Sequence, residues 1–294
     1  STGYQANVGL LSALLNRNCV AVLDRYCHAS MVDGCRVANC EIRYFKHNDT
    51  RDLEKVLAEI PPQKGVLVMV DGVYSMEGDI APVPDIVRVA HAVNARVMVD
   101  DAHGLGVLGQ GGRGTASHFG LTDEVDLIVG TFSKSLASIG GWIAGKADVI
   151  DYVKHFGRPL LFSASASPSA VAAAGAALNV LRTHPEMVDH LAANARYWQD
   201  GLRALGLEVG ASASPIVPIL IGSEIPTLGI WKELLDAGVF VNPVVYPAVP
   251  HHRAMLRTSV TAGHTREHLD QALEIVGRVT EAFNIRTTSG VTVH

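Results

Sequence analysis

Lys134 stands in Gly130-Thr131-Phe132-Ser133-Lys134-Ser135-Leu136, directly after the apolar run Val125 to Val129. Upstream, the run Val97-Met98-Val99 ends in Asp100, followed by Asp101-Ala102-His103-Gly104. An amine and a carboxylate, each at the end of a buried strand, are the two groups that pyridoxal phosphate (PLP) chemistry requires. The lysine forms a Schiff base with the cofactor aldehyde, and the carboxylate keeps the pyridine nitrogen protonated so that the ring accepts electrons. Thr131 and Ser133 lie on the same turn, where hydroxyls and free amides can bind the cofactor phosphate. Burying Asp100 unpaired would be costly, and a pyridinium N–H supplies the missing partner. PLP is therefore the expected cofactor.

The remaining candidates fit around that pair. His103 can turn back toward the phenolic oxygen of the cofactor, with Gly104 and Gly106 letting the backbone pass close to it. His28, in Asp24-Arg25-Tyr26-Cys27-His28-Ala29-Ser30, follows a strand and precedes a helix, where a ring can stack on the pyridine face opposite the lysine. Gly3-Tyr4-Gln5-Ala6-Asn7 precedes a helical run, Val8 to Leu15, and its amides can meet a phosphate at a helix N-terminus. Ser75, in the loop Asp71 to Asp79, offers a hydroxyl near the cofactor. Arg257, in the strand Met255 to Val260, needs an anion if buried, and an amino acid carboxylate gripped bidentately would satisfy it. Each motif also has an ordinary rival. These are a surface lysine in a serine-rich loop, a helix cap or metal pair at Asp-Asp-Ala-His, a structural histidine at position 28, a plain strand-ending turn and an internal salt bridge. A metal site is not expected, because no third ligand follows at metal spacing.

These residues need a scaffold, and the chain is long enough to build one. It has 294 residues, 48% of them hydrophobic, enough for one main domain and a smaller one. The net charge of −5 and the lack of a basic stripe argue against nucleic acid as a partner. No apolar stretch reaches the roughly 18 residues of a membrane span. The four cysteines, Cys19, Cys27, Cys35 and Cys40, form no C-x-x-C pair and read as buried reduced thiols. An opening at Ser1 without methionine reads as part of a longer chain, and the expected compartment is the cytoplasm, with peripheral membrane association as a further option.

Short β-branched runs alternate with helical periodicity. Strands are expected at Cys19–Leu23, Glu41–Phe45, Val66–Val70, Val97–Asp100, Leu127–Thr131 and Trp142–Ala144, with helices at Arg51–Ile60 and Asp85–Val93 between them. Runs without period-2 alternation mean strands covered on both faces, hence an α/β fold with a mostly parallel central sheet flanked by helices. Sites in such sheets sit beyond the strand C-termini, where Asp71, Asp100 and Thr131 fall. Two long helices, Ser167–Arg182 and Pro185–Leu205, precede a smaller α/β domain. Its elements are a strand at Ile216–Ile221, a helix at Thr227–Ala237, strands at Val239–Val241 and Met255–Val260, and a helix at Thr265–Phe283. The Gly- and Ser-containing stretch Leu205 to Ala213 places the domain boundary, giving 1–205 and 206–294, and the tail from Ile285 is expected to fray.

In this order the motifs resemble the α-oxoamine synthases, PLP enzymes of the aspartate aminotransferase fold. The resemblance rests on HASMVDG from His28, DGVYSMEGDIAP from Asp71, VMVDDAHGLGVLGQGGRG from Val97, GTFSKSLASIGGWIAG from Gly130, LLFSASASP from Leu160 and LRTSVTAGHT from Leu256. It implies that Lys134 is the Schiff-base lysine and proton shuttle, Asp100 the pyridinium partner and His28 the stacking histidine. It gives His103 and Ser75 contacts near the phenolic oxygen, and Thr131, Ser133, Gly3 and Tyr4 the phosphate. Ser163 and Ala164 would approach the phosphate of a neighbouring subunit, implying a homodimer, and Arg257 would hold the substrate carboxylate. The implied reaction is a decarboxylating Claisen condensation of an amino acid with an acyl-CoA. FSKSLASIGG, YFKHND from Tyr44 and GVFVNPVVYPAVP from Gly238 are most similar to the bacterial serine palmitoyltransferase branch, which implies L-serine and a long-chain acyl-CoA. The alternatives are the 8-amino-7-oxononanoate synthase and 2-amino-3-ketobutyrate CoA ligase branches, using alanine or glycine. The family pattern also implies an N-terminal part ahead of the Gly3 turn that this chain lacks. A rival of another class, a silent partner subunit of the same fold, would be expected to lack Lys134.

Overall fold

The computed structural model describes residues 1–285. In chain order the elements are α1 (Gly3–Leu14), β1 (Cys19–Asp24), α2 (Ala29–Ala38), β2 (Glu41–Phe45), α3 (Thr50–Ala58), β3 (Gly65–Asp71), α4 (Val83–Ala92), β4 (Arg96–Asp100), α5 (Thr115–His118), β5 (Leu127–Thr131) and β6 (Gly141–Gly145). There follow α6 (Ala147–Phe156), α7 (Arg158–Leu161), α8 (Pro168–Thr183), α9 (Glu186–Ala204), β7 (Ile216–Gly222), α10 (Glu224–Asp236), β8 (Asn242–Val244), β9 (Ala254–Ser259) and α11 (Arg266–Ala282).

The chain forms two compact units. The first comprises Ser1–Tyr74 and Ile80–Pro185, the second Ser75–Asp79 and the chain from Glu186 onward. In the first, six strands run in the order β2-β1-β3-β4-β5-β6, all parallel except the antiparallel edge strand β6. Successive residues of each central strand feed opposite layers. Val20, Val22, Val68, Val70, Val97 and Val99 pack with Leu53 and Leu57 of α3 and Ile86 of α4. Ala21, Leu23, Leu67, Met69, Met98 and Val129 pack on the other face with Leu10 and Leu11 of α1 and Met31 of α2. This two-sided burial is why the strands read as continuous apolar runs. Each fully buried Leu or Val contributes about 1.5–3 kcal/mol relative to exposure.

In the second unit, an antiparallel sheet ordered β7-β9-β8 packs Val217, Ile219 and Leu256 against Trp198 and Leu202 of α9, Ile230 and Leu234 of α10, and Val276 and Val279 of α11. That packing corrects the expected boundary near Leu205. Helix α9 buries its apolar side in the C-terminal core, so the division falls between Pro185 and Glu186. The segment Ser75–Asp79 joins the same unit because Gly78, at φ +69°, passes so close to the Ile216 carbonyl that a Cβ would sit 1.9 Å from it.

Two further element boundaries differ from expectation. The strand expected at Val239–Val241 lies at Asn242–Val244. Gly238 and Val239 give their N–H groups to the carbonyls of Leu235 and Leu234, closing α10 instead of extending a sheet. Pro243 is tolerated because β8 is an edge strand bonded only to β9. Helix α10 itself starts at Glu224, three residues before the expected Thr227. The expected fraying of the tail falls on residues 286–294, outside the described residues, while Ile285 still donates its N–H to Thr280 O at 2.9 Å.

Candidate active site

The parallel strands deliver their C-terminal residues to one edge of the sheet. Asp71 ends β3 and Asp100 ends β4, and the two are direct register partners. Both are buried, at 3% and 6% exposure. Burial and the charge of Asp100 push the Asp71 carboxyl well above the usual carboxylate range, while the Lys134 ammonium and the His28 N–H act against the rise. Lys134 thus acts electrostatically on Asp71 from its exposed turn after β5. Asp101, 1% exposed, serves a different purpose. It accepts hydrogen bonds from the Thr115 hydroxyl (2.6 Å) and N–H (2.9 Å), tying the loop after β4 to α5. Burial raises its carboxyl to about 6.

Asp100 is held from two sides. The Ala102 N–H donates to Oδ1 at 3.0 Å, and Asn7 Nδ2 donates to Oδ2 at 2.7 Å. Asn7 Nδ2 also donates to Ser30 Oγ at 2.8 Å, and Ser30 Oγ lies 2.7 Å from His28 Nδ1. A chain of hydrogen bonds therefore joins two expected site residues, Asp100 and His28, through two that the sequence reading passed over. The signal was present: Asn7 shares the buried face of α1 with Leu10 and Leu11, at helical spacing i, i+3, i+4. Close packing makes the reach feasible, since a Cβ on Gly34 of α2 would lie 2.8 Å from Leu11 Cδ1. His28 caps α2, and its N–H donates to Asp71 Oδ1 at 3.2 Å.

The expected phosphate residues also converge, with one correction. Helix α1 begins at Gly3, not at Val8, because Thr2 caps it: the Thr2 side chain accepts the Gln5 N–H at 3.1 Å. Gly3 and Tyr4 therefore belong to the first turn, whose unpaired N–H groups favour an anion. Gly3 packs on the end of β5 so tightly that a Cβ would lie 2.9 Å from Thr131 Cβ. Thr131 Oγ1 donates to Gly140 O at 2.9 Å and lies 2.8 Å from Ser133 Oγ. A helix N-terminus and two hydroxyls thus meet at one spot. The Tyr4 ring points elsewhere, its hydroxyl bonded to Asp33.

His103 occupies the turn after β4 and is half-buried. Ser163 is exposed and its hydroxyl bonds to Pro159 O, while the Ala164 carbonyl accepts the Ser1 hydroxyl of the same chain. Ser75 and Arg257 belong to the second unit. There Arg257, half-buried on β9, donates from Nε to the Ser75 carbonyl and from NH1 to Ser259 Oγ at 2.9 Å. Both partners are neutral, and burial alone lowers the guanidinium's proton affinity. The salt-bridge rival for Arg257 is not realised among the described residues. All four cysteines are free, but only Cys35 is fully buried.

The arrangement is suited to PLP. A buried carboxylate pair includes Asp71, on which the Lys134 charge acts, an anion-binding helix start adjoins two hydroxyls, and Asn7 Oδ1 is buried without a hydrogen-bond partner among the described residues. Comparisons with known proteins agree. The model of the aminotransferase class I and II family matches residues 1–276. Serine palmitoyltransferase of Sphingobacterium spiritivorum is 47% identical over 287 residues, covering 98% of this chain and 72% of that protein. 8-Amino-7-oxononanoate synthase of Alkaliphilus oremlandii is 45% identical over 285 residues, covering 97% and 72%. A serine palmitoyltransferase structure from S. paucimobilis with a bound PLP–myriocin aldimine superposes at a TM-score of 0.94 with 38% identity, covering 97% of this chain and 72% of that one. The chain belongs to the class I and II aminotransferase family, within its α-oxoamine synthase group of PLP-dependent acyltransferases. No helix among the described residues is long and apolar enough to cross a membrane.

Proposed function

We propose that this chain condenses L-serine with a long-chain acyl-CoA, releasing CoA and CO2 and forming a 3-keto amine. The observation that carries the reading is the buried Asp71–Asp100 pair at the strand ends, with the Lys134 charge acting on Asp71, in a chain 47% identical to a serine palmitoyltransferase. PLP, when bound, supplies the electron sink that makes Cα acidic and lets the carboxylate leave as CO2. The residues of this chain do the rest. Thr131, Ser133 and the first-turn N–H groups of α1 hold the phosphate. Asp100 accepts the hydrogen bond of the ring nitrogen. Lys134 takes the Cα proton, and His28 and His103 restrain the ring face and its phenolic oxygen. Arg257 grips the serine carboxylate: a half-buried guanidinium satisfied only by neutral groups retains donors for an anion.

A homodimer completes this reading. Only Ala174 is buried along the whole of α8, leaving Val171, Leu178 and Val180 exposed, and Phe162 just before it is 75% exposed. So much apolar surface on one element favours a partner. Sedimentation of the purified chain measures that state. Close relatives of the 8-amino-7-oxononanoate synthase kind support a second reading, with alanine as the amino acid. Spectrophotometric CoA release against serine, alanine and glycine, each with short and long acyl-CoAs, decides between them. Serine with a long-chain acyl-CoA is the expected pair. Turnover restricted to alanine would select the second reading, and no CoA release with any pair would overturn both.

A further inference from the structure

We infer that Asn7 and Ser30 form a positioning relay that holds Asp100 as a hydrogen-bond acceptor, keeps the shared proton on the cofactor ring nitrogen, and orients His28 through the same chain of hydrogen bonds. The inference rests on the PLP reading for its ring nitrogen and on geometry alone for its His28 arm.

The direction of every hydrogen in the relay follows from chemistry. A carboxylate only accepts, so the Asn7 amide must present its nitrogen to Asp100 Oδ2, at 2.7 Å. The same nitrogen reaches Ser30 Oγ at 2.8 Å and so spends both of its protons. Ser30 Oγ, already accepting from Asn7, is left to donate its own proton to His28 Nδ1, 2.7 Å away. The Ser30 N–H points at the same ring nitrogen from 3.3 Å. His28 Nδ1 is thus an acceptor twice over, and a neutral ring carries its proton on Nε2. Asn7 and Ser30 are 2% and 1% exposed, so water does not compete for these bonds.

The consequence for Asp100 follows from its hydrogen bonds. Each donor to a carboxylate stabilises its charged form and weakens its pull on a further proton. With Asn7 on one oxygen and the Ala102 N–H on the other, the hydrogen bonds favour Asp100 as an acceptor, and a proton shared with a pyridine nitrogen stays on the ring. The neighbouring charges are Asp71, beside Asp100 in register, the buried Asp101, tied to Thr115, and Lys134, which acts on Asp71. Removing the Asn7 donor shifts the shared proton toward Asp100 without deleting either partner.

The experiment uses the PLP-loaded chain with 15N in the cofactor ring and in histidine. In the unsubstituted chain the ring nitrogen is expected at its protonated shift and His28 as the Nε2–H tautomer. Asn7→Leu, close in volume but without a donor, should move the ring nitrogen signal toward its unprotonated position while circular dichroism stays unchanged. An unmoved signal in a folded, PLP-bound Asn7→Leu overturns the Asp100 arm. Should Asn7→Leu not fold, Ser30→Ala reads the other arm. It should shift the His28 Nδ1 resonance, and Ser30→Thr, which keeps the hydroxyl, should restore it. A His28 signal unaffected by Ser30→Ala overturns the relay. Failure of the PLP reading would show separately, as an unsubstituted chain that binds no PLP, and the Ser30 comparison can then be made on that chain.

Discussion

The two units bury polarity in opposite ways. In the first, the buried charged residues are four aspartates, Asp24, Asp71, Asp100 and Asp101, at or next to strand C-termini. In the second, every buried polar residue described is neutral: Gln199, Ser212, Ser214, Thr227, Thr258 and Thr280. The charge of interest there is the half-buried Arg257. The neutral set closes internal bonds, as when Trp198 Nε1 donates to Thr258 Oγ1 at 2.8 Å and Thr258 Oγ1 in turn to Val217 O. The acidic set does more than hold the fold. All four accept hydrogen bonds, Asp24 from the Tyr26 and Asn48 N–H groups and Asp101 from Thr115, but Asp71 and Asp100 also stand side by side in register, a like-charge arrangement that costs stability unless a cation or a proton joins it. Buried carboxylates thus divide into anchors and a receptor, and a like charge in direct register separates them.

The most severe test of that division removes the cation that acts on Asp71. Lys134→Ala should abolish CoA release while leaving the circular dichroism and thermal transition in place, because an exposed lysine contributes little packing. Borohydride treatment of the PLP-loaded chain should leave a pyridoxyl group on Lys134, read by peptide mass spectrometry. A tag on any other lysine would sink the assignment.

Next in size is the one charge set apart in the second unit. Arg257→Ala should weaken L-serine binding by roughly 2–5 kcal/mol, well over tenfold, in a titration of the PLP absorbance, with the serine-free spectrum unchanged. Arg257→Lys should recover part of the loss, since a point charge lacks the planar fork. Unaltered serine affinity in Arg257→Ala would return the arginine to a purely structural role.

The anchor class gives a smaller, pH-dependent effect. Asp101 titrates near 6 in the folded chain against about 3.8 for the unpaired group, so the folded state binds more protons between those values. Stability should therefore fall as pH rises from about 4 to about 6 and level off above, a loss of roughly 2–3 kcal/mol from this group. Asp71, also raised, adds to the decline in the same direction. Urea unfolding at pH 4.5 and 7 should show a shallower decline for Asp101→Asn than for the parent chain, and equal slopes would remove Asp101 from the account. The smallest effect concerns Tyr4, whose ring bonds to Asp33 at the surface. Tyr4→Phe should change PLP affinity by less than about twofold, because the proposed phosphate contact uses only its backbone N–H and an exposed pair contributes little.

How much of this was legible beforehand differs by kind of feature. Each expected strand of the central sheet lies where its apolar run placed it, since two-sided burial leaves an uninterrupted signature in the residues themselves. Asp100 and Thr131 could be placed at one edge of the sheet, with Lys134 on the turn beyond, from the ends of those runs, because a parallel sheet sends all its strand C-termini to one edge. The start of α1 was misread because Val8 to Leu15 is the conspicuously apolar part, although Thr2-Gly3-Tyr4-Gln5 already spells a helix cap. Near Gly238, hydrophobicity alone could not say whether backbone donors would close a helix or extend a sheet, and the structure gave them to the helix.

The sequence by itself therefore determined the layered α/β fold, the residue types at the strand ends and the family. Only the tertiary structure decided three things. It assigned α9 to the second unit, because that depends on which core Trp198 and Leu202 fill and not on their own pattern. It separated Asp101, tied to Thr115, from its chain neighbour Asp100, in register with Asp71, because the partners a carboxylate meets are a property of the surroundings. And it brought Asn7 and Ser30 between Asp100 and His28, a relay spanning α1, α2 and β4, because its members lie as many as 93 positions apart and meet only when the two helices pack on one face of the sheet.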